Sequence, residues 1–188
     1  MQKTLFVLFF FLSFAEMGYS QLMVSKQLGK SGENSKLGYG TFASFDYPLP
    51  RLPNQSIRLE ILDFAYFPRK DEDIQSLLGY LSIKLGYKYV FSEDQAGWYL
   101  IPSAGWVRVV SADDPTNNPS VKSYKDGIAL ALEGGYSIPV GRGDGTINLG
   151  LKYEDDLAGT FYNTDFTLRS LSFRASYAFH IFGGRGRD

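Results

Sequence analysis

The chain has 188 residues, 19 Lys and Arg against 20 Asp and Glu, 16% aromatic residues, 20 Gly and no Cys. The near-balanced charge argues against a broad electrostatic grip on nucleic acid. The lack of Cys excludes a disulfide scaffold, a thiolate metal site, a Cys nucleophile and an acyl-cysteine anchor. With a single His, no mechanism that needs two is open, and the length indicates one domain.

The N-terminal residues 1–20 read as a secretory signal peptide. Lys3 gives a short basic start, and Leu5 to Ala15 is almost unbroken apolar. Eleven residues rise only about 16 Å as a helix, too short for a hydrocarbon core of about 30 Å. Gly18 and Ser20 are small and suit a cut before Gln21, which leaves residues 21–188 as the domain. No later stretch is long and apolar enough for a spanning helix.

From there the dominant signal is alternation, the period of a strand with opposed faces. Leu22 to Gly29 is taken as the first strand because an even number is needed, although Lys26 and Gln27 interrupt it. Next, Leu37, Tyr39, Thr41, Ala43, Phe45 and Tyr47 oppose Gly38, Gly40, Ser44 and Asp46. Ile57, Leu59 and Ile61 oppose Arg58 and Glu60, and the parity then slips across Leu62 to Tyr66, as a bulge would make it. In Gly79 to Phe91, Leu81, Ile83, Leu85, Tyr87 and Tyr89 oppose Tyr80, Ser82, Lys84, Gly86 and Lys88. Trp98 to Val110 is the fifth strand, with Pro102 in its middle removing a ladder donor, so irregular pairing is expected there. Ile128 to Ile138, Ile147 to Tyr153 and Leu171 to Ile181 alternate in the same way. The connections alternate too. One set includes the long stretches Ala112 to Asp126 and Asp155 to Arg169, and the other is short and rich in turn residues. Long loops at one end and short turns at the other are the habit of outer-membrane barrels. These signals predict an all-β chain, a single eight-stranded antiparallel up-and-down transmembrane barrel.

A membrane barrel turns its apolar parity outward, whereas a soluble lipocalin-like barrel turns it inward around a small apolar ligand. The polar parity holds Asp46, Arg58, Glu60, Lys84, Lys88, Glu133, Lys152, Glu154, Arg174 and His180 among Gly, Ala and Ser. Small residues between charges suit a narrow lumen that side chains fill, with cations and anions satisfying one another. Tyr47, Tyr89, Phe91, Tyr99, Tyr136, Tyr153, Tyr177 and Phe179 stand near strand ends, as interfacial girdles require. The soluble barrel stays open as the second reading.

The segments Tyr80–Tyr89, Gly97–Trp106, Ile147–Glu154 and Ser172–Phe179 together resemble the small outer-membrane beta-barrel ("porin-family") domain of Gram-negative bacteria, of the OmpA/OmpX kind. The resemblance covers nearly all of residues 21–188. It implies an outer-membrane location, outer-membrane lipid as surroundings and assembly by the barrel-insertion machinery, and it implies no single activity. Such barrels usually end on an aromatic residue, whereas here Gly183 to Asp188 follows Phe182.

Each remaining candidate site has a plainer structural account. His180 shares a face with Ser176 and Arg174, but no Ser follows two residues on, so the pairing of a lipid A deacylase is missing and no enzyme is expected. Arg142-Gly143-Asp144 matches an integrin-recognition tripeptide, yet it is also what a tight hairpin needs. Asp71 to Asp73, Asp113-Asp114 and Glu154-Asp155-Asp156 are taken as solvated loop charge, since none has the spacing of a calcium loop. Phe161, Tyr162 and Phe166 are candidate contacts for an unknown extracellular partner, or an extension of the strands that flank them. No cofactor or metal is expected.

Overall fold

The computed structural model describes residues 21–28, 35–68, 78–92, 96–111, 123–140, 145–158 and 168–179. Eight strands follow in chain order: β1 Gln21–Leu28, β2 Gly38–Leu49, β3 Leu52–Phe67, β4 Leu78–Val90, β5 Gly97–Ser111, β6 Ser123–Val140, β7 Gly145–Ala158 and β8 Leu168–Phe179. Each pairs antiparallel with the next, and β1 pairs with β8 to close the barrel. Closure gives every strand two neighbours, so the ladder has no open edge. The connections 29–37, 68–77, 112–122 and 159–167 leave one end, here called the loop end. The links 50–51, 91–96 and 141–144 leave the other, the turn end. No helix among the described residues is long and apolar enough to cross a membrane, which says nothing of crossing by strands.

The strands reach further than alternation indicated. β3 begins at Leu52, ahead of Ile57 where the alternation starts, because Pro48 pairs with Ser56 and the hairpin tightens to Leu49 opposite Leu52. β6 begins at Ser123, and β7 continues through Asp155 and Asp156 to Ala158. Loop-like composition does not stop a strand whose backbone is paired on both sides, as Asp155 is with Leu130 and Arg169.

The parity slip is a bulge. Glu60 pairs with Lys84 but Asp63 pairs with Ser82, so β3 carries one extra residue there. Leu62 absorbs it with a φ of 56°, in the left-handed region, and Ile61 and Leu62 both stay off the lumen. The bulge thereby turns Asp63, Ala65 and Phe67 inward. At Pro102 the pairing with β4 lapses between Gly86–Ser103 and Tyr89–Leu100 and resumes in the same register. A missing donor interrupts a ladder without shifting it when the other edge is intact, and Pro102 still lies opposite Leu132 on β6.

Burial is inverted relative to a soluble domain. Leu85, Leu149 and Phe173 are 60%, 37% and 50% exposed, while Lys84, Lys152 and Arg174 are each 1% exposed. A lipocalin-like carrier would place that apolar parity inside, so the soluble-carrier reading is corrected here. The lumen is not polar throughout. Under the loop end Met23, Phe42, Ala65, Phe67, Tyr80, Val107, Val109, Ala129 and Leu168 form an apolar plug. A smaller cluster of Val90, Tyr99 and Ile101 lies toward the turn end. Among the aromatics expected outside, Tyr99 is corrected: it is buried in the lumen, and Trp98 is the exposed neighbour.

Candidate functional site

Between the two apolar clusters the lumen holds a band of ion pairs and hydrogen bonds, with charged side chains from six of the eight strands and Tyr99 from a seventh. β2 supplies Asp46, β3 Arg58, Glu60 and Asp63, and β4 Lys84 and Lys88. Tyr99 of β5, Glu133 of β6, Lys152, Glu154 and Asp156 of β7, and Arg174 of β8 complete it. The pleat puts residues two apart on one face, so pairs such as Lys152 and Glu154 share the same lumen wall.

Asp63 is the hub. Its Oδ2 lies 2.5 Å from Lys84 Nζ and 3.1 Å from Arg174 Nη2, and it also accepts from Lys152 Nζ. Glu154 takes a second bond from Lys84 at 2.9 Å and one from Lys152. Ser82 Oγ is 2.7 Å from Lys84 Nζ. Arg174 Nη1 spans Glu60 at 3.0 Å and Glu133 at 2.8 Å, and its guanidinium stacks 3.7 Å from the centre of the Phe42 ring. That planar fork is why Arg suits this place: one side chain binds three carboxylates and still offers an apolar face to a ring. Nearer the turn end, Arg58 forks onto Asp46 at 2.6 and 2.7 Å, and Lys88 lies 3.3 Å from Asp46. Tyr99 donates to Glu133 at 2.9 Å. Desolvating each of these charges costs several kcal/mol, roughly, and only multiple partners offset that. The multiple bonds to Asp63, Glu60 and Glu154 meet that requirement.

Nine of the ten lumen candidates from the sequence therefore stand within one connected set. His180, the tenth, lies outside the described residues, as do Phe161, Tyr162 and Phe166 and the residues 1–20, 71–73, 113–114 and 142–144. Three members lie outside the sequence candidates: Tyr99, expected on the outer face, and the acids Asp63 and Asp156. Asp63 was hidden because strict alternation carries it to the outer face, and the slip at Leu62 was the available signal. Asp156 stands in an acidic run that reads as loop charge. The solvated reading of Glu154-Asp155-Asp156 is corrected: Glu154 and Asp156 are fully buried, and only Asp155 is partly exposed, 3.3 Å from Arg169. The signal was their parity, since 152, 154 and 156 fall on one face.

Outside, the apolar belt ends in rings and ion pairs. Trp98 meets Tyr136 edge-on at 5.3 Å and Tyr89 meets Phe91 at 5.1 Å near the turn end. Tyr39 meets Tyr66 at 5.4 Å toward the loop end. Beyond the belt at the loop end, Arg108 pairs with Asp126 at 2.7 Å and Arg169 with Asp155. Among the described residues no group of three or more His, Cys, Asp or Glu could hold a metal ion.

Comparison with solved structures agrees on the shape. Neisserial surface protein A superposes with a TM-score of 0.58 at 15% identity, over 86% of this chain and 94% of that one. The likeness is one of fold. Ail, the attachment invasion locus protein of Yersinia pestis, in complex with the heparin analogue sucrose octasulfate, gives a TM-score of 0.52 at 13% identity, over 86% of this chain and 96% of that one. No protein-family model matches the chain, and no curated protein matches it.

Proposed function

We propose that the chain is a non-enzymatic outer-membrane barrel protein, exported as a precursor whose residues 1–20 are removed. In this reading its lumen is closed, and it acts structurally or through its extracellular loops, including Phe161, Tyr162 and Phe166. The inverted burial carries the reading: a continuous apolar belt exposed around a charged interior is stable only where hydrocarbon replaces water outside. The loop end is then extracellular and the turn end periplasmic. Surrounding lipid and the barrel-insertion machinery are the partners this location requires. Closure in this reading rests on two layers, the apolar plug and the ion band. Heat-modifiable gel mobility after detergent extraction tests the membrane location; a protein soluble without detergent refutes it. Planar-bilayer recording tests closure, and a large stable conductance refutes it. Assay of lipid A modification with His180→Ala tests the non-enzymatic part; an activity lost in that variant refutes it.

A further inference from the structure

Counted with every group ionised, the ion band is not neutral. Among the described residues, Arg58, Lys84, Lys88, Lys152 and Arg174 face Asp46, Glu60, Asp63, Glu133, Glu154 and Asp156, which leaves one negative charge over. The surplus has a place. Asp156 is 0% exposed and neither of its carboxylate oxygens has a donor. It meets Glu154, another carboxylate, at hydrogen-bonding range. Lys84 and Lys152 lie within electrostatic range, but their ammonium protons are directed to Asp63 and Glu154.

Two more buried polar side chains stand beside it without partners. Gln27 is 2% exposed with neither amide atom bonded, and Ser170 is 0% exposed with its hydroxyl unbonded. The three lie on adjacent strands. Gln27 of β1 is opposite Ser170 of β8, and Ser170 is opposite Glu154 of β7, one inward step from Asp156. Diagonal inward neighbours on paired strands are within side-chain reach. Five unsatisfied polar atoms therefore lie on one stretch of the lumen wall, where Asp156 stands opposite Ala129 and Leu168 of the apolar plug. Each left bare costs about 1–3 kcal/mol, so something partners them. A water molecule would satisfy hydrogen bonds and leave the charge.

We propose that Asp156, Gln27 and Ser170 bind one alkali-metal cation inside the barrel. The cation would draw its donors from the unpartnered Asp156 carboxylate, Gln27 carbonyl and Ser170 hydroxyl. Hard oxygen donors select a hard cation, and a single carboxylate matches a single charge. Among the described residues no group of three or more His, Cys, Asp or Glu could hold a metal ion, which sets the site apart from a divalent one. The cation completes neutrality and separates Asp156 from Glu154. This inference rests on lumen geometry alone, so it survives or fails independently of the membrane location.

The test is thermal unfolding of the purified protein at pH 7 in sodium, potassium or choline chloride of equal ionic strength. Binding to the folded state alone raises the midpoint with ligand concentration. The expected result is a midpoint about 3 °C higher in sodium or potassium than in choline. Asp156→Asn removes the difference and brings the choline midpoint up. Ser170→Ala and Gln27→Leu shift the dependence to several-fold higher salt, and they carry the test if Asp156→Asn does not fold. Equal midpoints of the parent protein in all three salts overturn the proposal, as does an undiminished sodium dependence in these variants. A midpoint that follows pH and ignores sodium also overturns it, placing a proton between Asp156 and Glu154 instead.

Discussion

Arg174→Met is the sharpest perturbation of the ion band. Methionine keeps an unbranched side chain of similar reach, so the Phe42 ring retains a neighbour and little volume is lost. The charge is what disappears. Arg174 reaches Glu60 at 3.0 Å, Glu133 at 2.8 Å and Asp63 at 3.1 Å, and it is 1% exposed, so solvent does not screen the loss. Removing one partner of a buried ion pair costs about 3–5 kcal/mol, because the surviving charge stays desolvated. Here the survivors have second partners: Lys84 and Lys152 for Asp63 and Glu60, Tyr99 for Glu133. A loss of about 4 kcal/mol follows, within that range, since three carboxylates are left with fewer cations than before. Urea unfolding in phospholipid vesicles, read as folded and unfolded gel bands, measures it. With a slope of about 2 kcal/mol per molar urea, the midpoint falls by about 2 M. A fall of less than about 0.5 M would refute the view that the band holds the wall together through Arg174.

Other consequences are read with the same assay. Leu151→Arg places a charge on the exposed apolar belt in the middle of β7 and costs about 2–4 kcal/mol in vesicles if lipid faces it; no loss in vesicles would contradict outward-facing hydrocarbon. Gly105→Ala drives a Cβ to 2.0 Å from the Ile83 carbonyl oxygen, whereas at Gly134 the nearest atom is 3.8 Å away. The first variant loses about 2–3 kcal/mol and the second changes little, and a reversed order would contradict the β4–β5 packing. At Leu62, with its φ of 56°, Val is less stable than Gly by about 1–2 kcal/mol, because a β-branched side chain resists the left-handed region. Equal stability of the two variants would place the bulge elsewhere.

Much of the barrel was legible in the residues because a period of two survives wherever the two faces meet different surroundings. β4, β7 and β8 show it plainly: leucine, isoleucine and aromatic residues on one parity, lysine, serine and arginine on the other. β5 does not. Trp98, Leu100 and Trp106 look outward while Tyr99, Ile101, Val107 and Val109 look inward. With both parities apolar, alternation carries no sign, and neither the plug nor the inward tyrosine was readable. Asp63 and Asp156 were lost for different reasons. A one-residue bulge reverses every face beyond it, and acidic residues in series look like a solvated turn until the strands on both sides claim their backbone.

By itself the chain determined the element type, seven of the eight strands and the grouping of most charges on one parity, since each follows from local spacing and from the cost of mixing oil with ions. Only closure of β1 on β8 decided which charges meet. Arg174 and Glu60 are 114 residues apart in the chain, and Lys152 and Asp63 are 89. No local pattern encodes such a contact, because it depends on the radius and register of the completed cylinder.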